Sequence, residues 1–486
     1  MHKISLKAIA TRGIIWSAVD KFAAQFGQFV VGVILARILL PEDFGLIGVL
    51  TIFIALSQTF IESGLGVALI QRQNRSKVDF STLFVFNLVI SSLFYLVLFF
   101  SAPFISSFFK QPQLIDLTRI LGLVLFLNAF AIVQRTKLTI EIDFKSIAKS
   151  NVIGIIAGGL CGVVAAMNGY GVWSLVIQML IGAFSSSLSF WFLSNWVPSV
   201  TFSKTAFKSL FGYGSKLLIA GLYAQVLSNI YNICLGKFYP ITSLGYYTRA
   251  KNFADLSAGT IVSILQQATF PVLASLQNDK EKLVSVYSRM IRMSAFFIIP
   301  LMTLIALLAK PIVILLLTEK WISLIPLLQW MVFARIFFPM SSLNMNLLNA
   351  IGRSDLFLKV DLSKLPLTII AMIITIPLGV KSIIIGHVIT SAISFIINAY
   401  LPGKFYGYGA VQQLKDMLPI FAATTGMAVL VFAISYFIDN LIFQLFLGGA
   451  FGVLAYLFIC WILKLEELKE VFKLFLSLKK DNTLKI

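Results

Sequence analysis

Charge is scarce in this sequence. Only 12% of its 486 residues are Asp, Glu, Lys or Arg, and the 39 basic residues outnumber the 20 acidic ones. A soluble domain carries about 25% charged residues, so a chain built around a large water-facing surface is excluded. Histidine occurs twice and cysteine three times. His2, His387, Cys161, Cys234 and Cys460 are scattered, so neither a metal cluster nor a disulfide framework follows. No GxxxxGK[ST] loop is present, which argues against ATP hydrolysis by this chain. Long polar loops are missing too, and with them any place for an extramembrane catalytic domain. The chain reads as no enzyme and as needing no resident cofactor.

What fills the sequence is apolar. Hydrophobic residues make up 59% of it and the mean hydropathy is +0.93. A bilayer core needs about 20 apolar residues per helix, and hydrocarbon obliges each segment to satisfy its own backbone hydrogen bonds, which selects helices. The expected fold is an all-α polytopic membrane protein with about fourteen transmembrane helices. Six cover about 13–36, 44–66, 80–101, 117–134, 150–168 and 172–194. Six more cover about 213–236, 251–275, 290–309, 322–345, 363–380 and 383–400, and a last pair covers 417–437 and 441–463. The first stretch lacks a small-residue cleavage site behind it and is expected to be retained as a helix.

The basic residues orient this array. With the N-terminus in the cytoplasm, 28 of the 39 Lys and Arg residues fall on the cytoplasmic side and nine on the other, with Lys21 and Arg335 inside helices. That asymmetry is the positive-inside pattern, with both termini in the cytoplasm. The net charge of +19 is thereby explained by topology and anionic headgroups, without nucleic acid.

The two sets of six helices share landmarks. Arg37-Ile-Leu-Leu-Pro-Glu-Asp-Phe-Gly45 closes the first helix and opens the second; Lys237-Phe-Tyr-Pro-Ile-Thr-Ser-Leu-Gly245 does the same for the seventh and eighth, 200 residues later. Gln25 and Gln225 keep that offset, while Gly171-Val172-Trp173-Ser174 matches Gly379-Val380-Lys381-Ser382 at 208. Duplication follows, and because six is even the halves share one orientation. The domain reading is a six-helix lobe over 1–200, a second over 201–403, two additional helices over 404–463, and an amphipathic basic tail over 464–486 suited to interfacial anchoring.

Leu35-Ala36-Arg37 followed by Pro41-Glu42-Asp43-Phe44-Gly45 resembles the signature between helices one and two of polysaccharide-transport flippases. Gly169-Tyr170-Gly171-Val172-Trp173-Ser174-Leu175 resembles that family's turn between helices five and six, and Thr318-Glu319-Lys320-Trp321 and Ala350-Ile351-Gly352-Arg353 resemble later landmarks. The similarity is closest to the Wzx-like branch that includes colanic-acid and teichuronic-acid exporters. The resemblance implies the MOP exporter fold, with two six-helix bundles in a V and two appended helices. It implies as substrate an undecaprenyl-diphosphate-linked oligosaccharide, carried from the cytoplasmic to the periplasmic leaflet.

Such cargo needs a wet, partly cationic interior, because polar groups exposed to hydrocarbon are costly. Ser17, Lys21, Gln25 and Gln28 fall on one face of the first helix, and Gln225, Asn229, Asn232 and Gly236 form a comparable stripe on the seventh. Thr51, Ala55, Gln58 and Glu62 line the second, and Arg335, Ser342, Asn346 and Asn349 the tenth. Lys21, Gln25, Gln28, Gln225, Asn229, Asn232 and Arg335 are therefore substrate-cavity candidates. Amide residues in membrane helices also serve simply to join helices, and Lys21 has the alternatives of pairing with Asp20 or Glu62 or of snorkelling. Asp20, Glu62 and Asp255 are candidates for coupling to a proton or sodium gradient. Two functions remain in view. The first is a flippase serving lipopolysaccharide or exopolysaccharide biosynthesis beside polymerase and export machinery. The second is a cation-coupled, MATE-like multidrug antiporter, which would normally stop near twelve helices.

Overall fold

The computed structural model describes residues 6–199 and 201–473, which are helical almost throughout with no strand among them. The chain runs through α1 (Leu6–Ile38), α2 (Pro41–Glu62), α3 (Leu65–Gln71), α4 (Lys77–Phe109), α5 (Leu114–Leu121), α6 (Val124–Ile140), α7 (Phe144–Met167) and α8 (Trp173–Ser194). The second half opens with α9 (Lys204–Phe238), α10 (Ile241–Ser275), α11 (Lys280–Leu307), α12 (Ala309–Leu317), α13 (Leu324–Arg335) and α14 (Phe338–Ala350). It continues through α15 (Ser354–Ser363), α16 (Leu365–Thr375), α17 (Val380–Tyr406), α18 (Ala410–Phe437) and α19 (Leu441–Ile462).

Twelve of these segments are long and apolar enough to cross a bilayer. The two other expected passes are helical but less regular. α10 is 35 residues long and starts ten residues earlier than its apolar run, which brings Arg249 into the helix beside Lys251 and Asp255. The next-to-last pass of the second half is split into α15 and α16 at Lys364, beside Pro366, whose missing N–H cannot continue the ladder. Other passes are broken as well. α2 and α3 are separated by Ser63 and Gly64, both at positive φ (41° and 66°), and α13 and α14 by Ile336 and Phe337, just before Pro339.

Two compact units result, Met1–Thr248 and Arg249–Ile486. α9, expected to open the second lobe, packs against α2, α3 and α4 in the first unit. Within that unit α7 and α8 meet through small residues. A Cβ on Gly158 would lie 2.5 Å from the Gln178 carbonyl oxygen, and one on Gly154 2.7 Å from that of Gly182. Close backbone approach of this kind is how membrane helices associate without a hydrophobic driving force. The duplicated turn uses the same device. A Cβ built on Gly45 would overlap the carbonyl oxygen of Ile241, and one built on Gly245 would overlap that of Pro41.

In the second unit α11 is central, packing on α13, α14 and α18, and the pair α18–α19 is fastened to it. The residues after α19 begin the tail expected to be amphipathic and basic. Residues 466–473 form a further helical stretch in which Glu467 and Leu468 are buried. Arg292 on α11 bonds Glu467 at 2.8 Å, and Arg289 bonds Glu470 at 2.7 Å. The acidic residues of this stretch thus dock it on the protein, because opposite charges face it from α11. Its basic end, Lys479-Lys480, lies outside the described residues.

Candidate functional site

In the first unit the polar residues of α1 stand open. Lys21 and Gln28 are exposed, Asp20 and Gln25 half-buried. Asp20 accepts a hydrogen bond from Asn151 Nδ2 on α7 at 2.8 Å. Glu62 is exposed and accepts from Gln58 Nε2 at 3.2 Å, and Gln58 Oε1 in turn accepts from Asn128 Nδ2 at 3.3 Å. Lys21 makes no ion pair with either carboxylate among the described residues. On α9, Asn229 Nδ2 donates to the Gln225 carbonyl at 3.0 Å, and Asn232 Nδ2 to Asn229 Oδ1 at 3.2 Å. Gln225, Asn229 and Asn232 therefore form one ladder along a single helix, with only Asn232 buried.

The second unit joins two residues that sequence analysis assigned to different roles. Arg335 Nε donates to Asp255 Oδ1 at 2.6 Å. The Arg335 side chain is 14% exposed and that of Asp255 41%. Lys251, one turn before Asp255 on α10, lies within electrostatic reach of both, and His387 on α17 within reach of Arg335 and Lys251. α10, α13 and α17 thus bring Lys251, Asp255, Arg335 and His387 together.

The helix break explains why Arg335 can sit there. It is the last residue of α13, where unsatisfied carbonyls and the helix dipole favour a cation. Ser391 Oγ on α17 donates to the Ala334 carbonyl at 2.7 Å, and the Phe338 ring lies 5.7 Å from the guanidinium carbon. Because the break separates Arg335 from Ser342, Asn346 and Asn349, the continuous stripe expected on the tenth helix is divided between α13 and α14.

Two clusters in this unit escaped sequence reasoning. Tyr287 of α11, Asn344 of α14 and Gln413 of α18 form a fully buried network. The Tyr287 hydroxyl donates to Asn344 Oδ1, Gln413 Nε2 bonds Asn344 Oδ1 at 2.9 Å, and Asn344 Nδ2 bonds Gln413 Oε1 at 3.2 Å. Beside it, Tyr408 donates to Asp416 at 2.7 Å, and Arg292 reaches Asp416 at 3.6 Å as well as Glu467. Single amides in apolar helices carry no signal of which partners they will meet. The acidic run Glu466-Glu467 was the available clue to the second cluster. At the start of α15, Arg353 donates twice to Asp355, at 2.9 and 3.0 Å.

Comparison with known proteins agrees with this architecture. Residues 34–326 match a family described as polysaccharide biosynthesis protein. The chain is 24% identical over 414 residues to the teichuronic acid biosynthesis protein TuaB of Bacillus subtilis (strain 168), covering 83% of this chain and 85% of that one. It is 24% identical over 408 residues to the lipopolysaccharide biosynthesis protein WzxC of Escherichia coli (strain K12), covering 82% of each. Among solved structures, the lipid II flippase MurJ in an inward closed conformation superposes with a TM-score of 0.75 at 19% identity, over 93% of this chain and 98% of that one. The family match spans more than half of the chain, and the protein belongs to the polysaccharide biosynthesis protein family.

Proposed function

We propose that this protein moves an undecaprenyl-diphosphate-linked oligosaccharide from the cytoplasmic to the periplasmic leaflet of the cytoplasmic membrane, with both termini in the cytoplasm. The observation that carries the reading is the Arg335–Asp255 pair, with Lys251 within electrostatic reach, at a broken membrane helix. A guanidinium at such a place suits a diphosphate, whose oxygens meet its paired donors. The exposed Lys21 and Gln28, with Gln25 and the Gln225–Asn229–Asn232 ladder, supply donors and acceptors for sugar hydroxyls. The lipid tail stays in the bilayer, so only the head group needs this polar route.

Transport of this kind changes no covalent bond, and its free energy comes from a proton or sodium gradient acting through Asp20, Glu62 or Asp255. Alternating access by rocking of the two repeats exposes the polar interior to each leaflet in turn. Polymerase and export machinery then take the delivered unit. Deletion strains should build the complete lipid-linked unit and retain it on the cytoplasmic leaflet. An impermeant lectin applied to oriented vesicles reads its side. Normal appearance of the unit outside, with related exporters also deleted, would overturn the proposal and favour the multidrug antiporter.

A further inference from the structure

Two buried amides of the first unit have no hydrogen-bond partner, and they flank the break between α2 and α3. Asn87 on α4 and Gln134 on α6 are 0% exposed, and among the described residues neither the NH2 nor the oxygen of either one is bonded. Ser63, in the break itself, is buried too, and its hydroxyl is likewise unbonded. Packing brings the three to one place. Val133, next to Gln134, shares a core cluster with Leu65 and Ala68 of α3 and with Leu83 and Phe84 of α4. Asn87 lies one turn beyond Leu83 and Phe84 on the same face of α4. A Cβ on Gly66, just past the break, would lie 3.2 Å from Oγ1 of Thr136, two residues after Gln134.

The break adds backbone groups to these side chains. The Ser63 N–H bonds the Thr59 carbonyl and the Ala68 N–H that of Gly64, while the N–H groups between them have no partner within either helix. Polar groups left this way inside a membrane protein are costly. An amide open at both ends asks for a ligand that donates and accepts. A cation would serve only the oxygens, an anion only the NH2 groups, and a sugar is too large for a fully enclosed site. Water does both and fits. We infer that the α2–α3 break is a buried water site, its water held by Asn87, Gln134, Ser63 and the open N–H groups. The pass can then be interrupted, and can bend, without offering bare backbone to hydrocarbon.

X-ray footprinting tests this directly. Radiolysis of bound water yields hydroxyl radicals that label the side chains beside it, whereas radicals from bulk solvent do not reach fully buried ones. The full chain in lipid nanodiscs is irradiated, digested and read by mass spectrometry. Leu65 and Leu83, at 1% and 0% exposure, should be labelled above Ile298 and Ile299 of α11, both at 0%. Asn87→Leu combined with Gln134→Met, which keep the volumes but remove the amides, should abolish that excess. Asn87→Leu alone should lower the melting temperature, because it takes a partner from the water. Labelling of Leu65 and Leu83 no higher than that of the two isoleucines overturns the water site, and this wild-type comparison decides even if the double variant does not insert. An excess that persists in the double variant, or a higher melting temperature in Asn87→Leu, overturns the part assigned to the amides.

Discussion

Gly45 and Gly245, 200 residues apart and equivalent in the duplicated turn, lie in reciprocal backbone contact. Gly45 packs on the Ile241 carbonyl, Gly245 on the Pro41 carbonyl, and Pro41 and Ile241 are themselves 200 residues apart. The two matching turns of the sequence therefore meet where α2 and α10 begin, and glycine is required because a Cβ has nowhere to go.

Gly45→Val or Gly245→Val should consequently lower stability by about 1–3 kcal/mol, the usual cost of forcing atoms into a packed contact. The control is Gly449→Ala in α19, whose Cβ would meet nothing within 4 Å. It should be neutral or slightly stabilising, since alanine restricts the unfolded chain more. Thermal unfolding in detergent reads both. A valine at 45 as stable as the wild type would mean that the crossing is not tight.

The buried network of α11, α14 and α18 predicts non-additivity. Asn344→Leu leaves the Tyr287 hydroxyl proton without its acceptor and Gln413 Oε1 without its donor, at about 1–3 kcal/mol for each unsatisfied group. Adding Tyr287→Phe and Gln413→Leu removes the stranded groups and should recover part of the loss. A triple variant as unstable as the sum of the singles would show that each residue acts through packing alone.

The two arginines of α11 should behave unequally. Arg292→Ala leaves Glu467, whose side chain is 8% exposed, facing a site without its counter-ion. The cost should be about 2 kcal/mol, below that of a fully buried pair because Arg292 is partly open. Arg289→Ala breaks a pair whose arginine is 56% exposed and should cost under about 1 kcal/mol. Raising the salt to 1 M should erase the Arg289 effect and spare most of the Arg292 effect.

Lys21 offers a test of function without a stability cost. It is exposed within the first span and unpaired with Asp20 or Glu62. Lys21→Ala should insert and melt like the wild type while exporting less glycan. Loss of stability matching the loss of export would assign Lys21 to packing.

Reporter fusions check the orientation on which the transport direction rests. Fusions after Asn74, Lys145, Lys280 and Gly403 should report the cytoplasm, and those after Glu42, Gln111 and Thr242 the periplasm, from the asymmetry of Lys and Arg. Oppositely oriented repeats would undo the parallel duplication.

Fold class was legible in the sequence because hydrocarbon imposes a local rule. A run of about 20 apolar residues must become a helix wherever its neighbours are, so α4, α7, α8, α18 and α19 lie close to where their apolar runs place them. The matching turns at Pro41–Gly45 and Pro240–Gly245 were legible as motifs, but their contact with each other was not, because it joins residues about 200 apart in the chain. Partnership was not legible. Arg335 and Asp255 are 80 residues apart, and nothing local to either announces the other. The same holds for Tyr287 with Gln413 and for Arg292 with Glu467, which read respectively as isolated polar residues and as part of a basic tail. Apolar length and charge bias act segment by segment and were set by the sequence alone. Which polar group meets which depends on the register between helices, and that register is set only when whole helices pack, because the energy of a hydrogen bond or ion pair depends on ångström-scale geometry that no single segment contains.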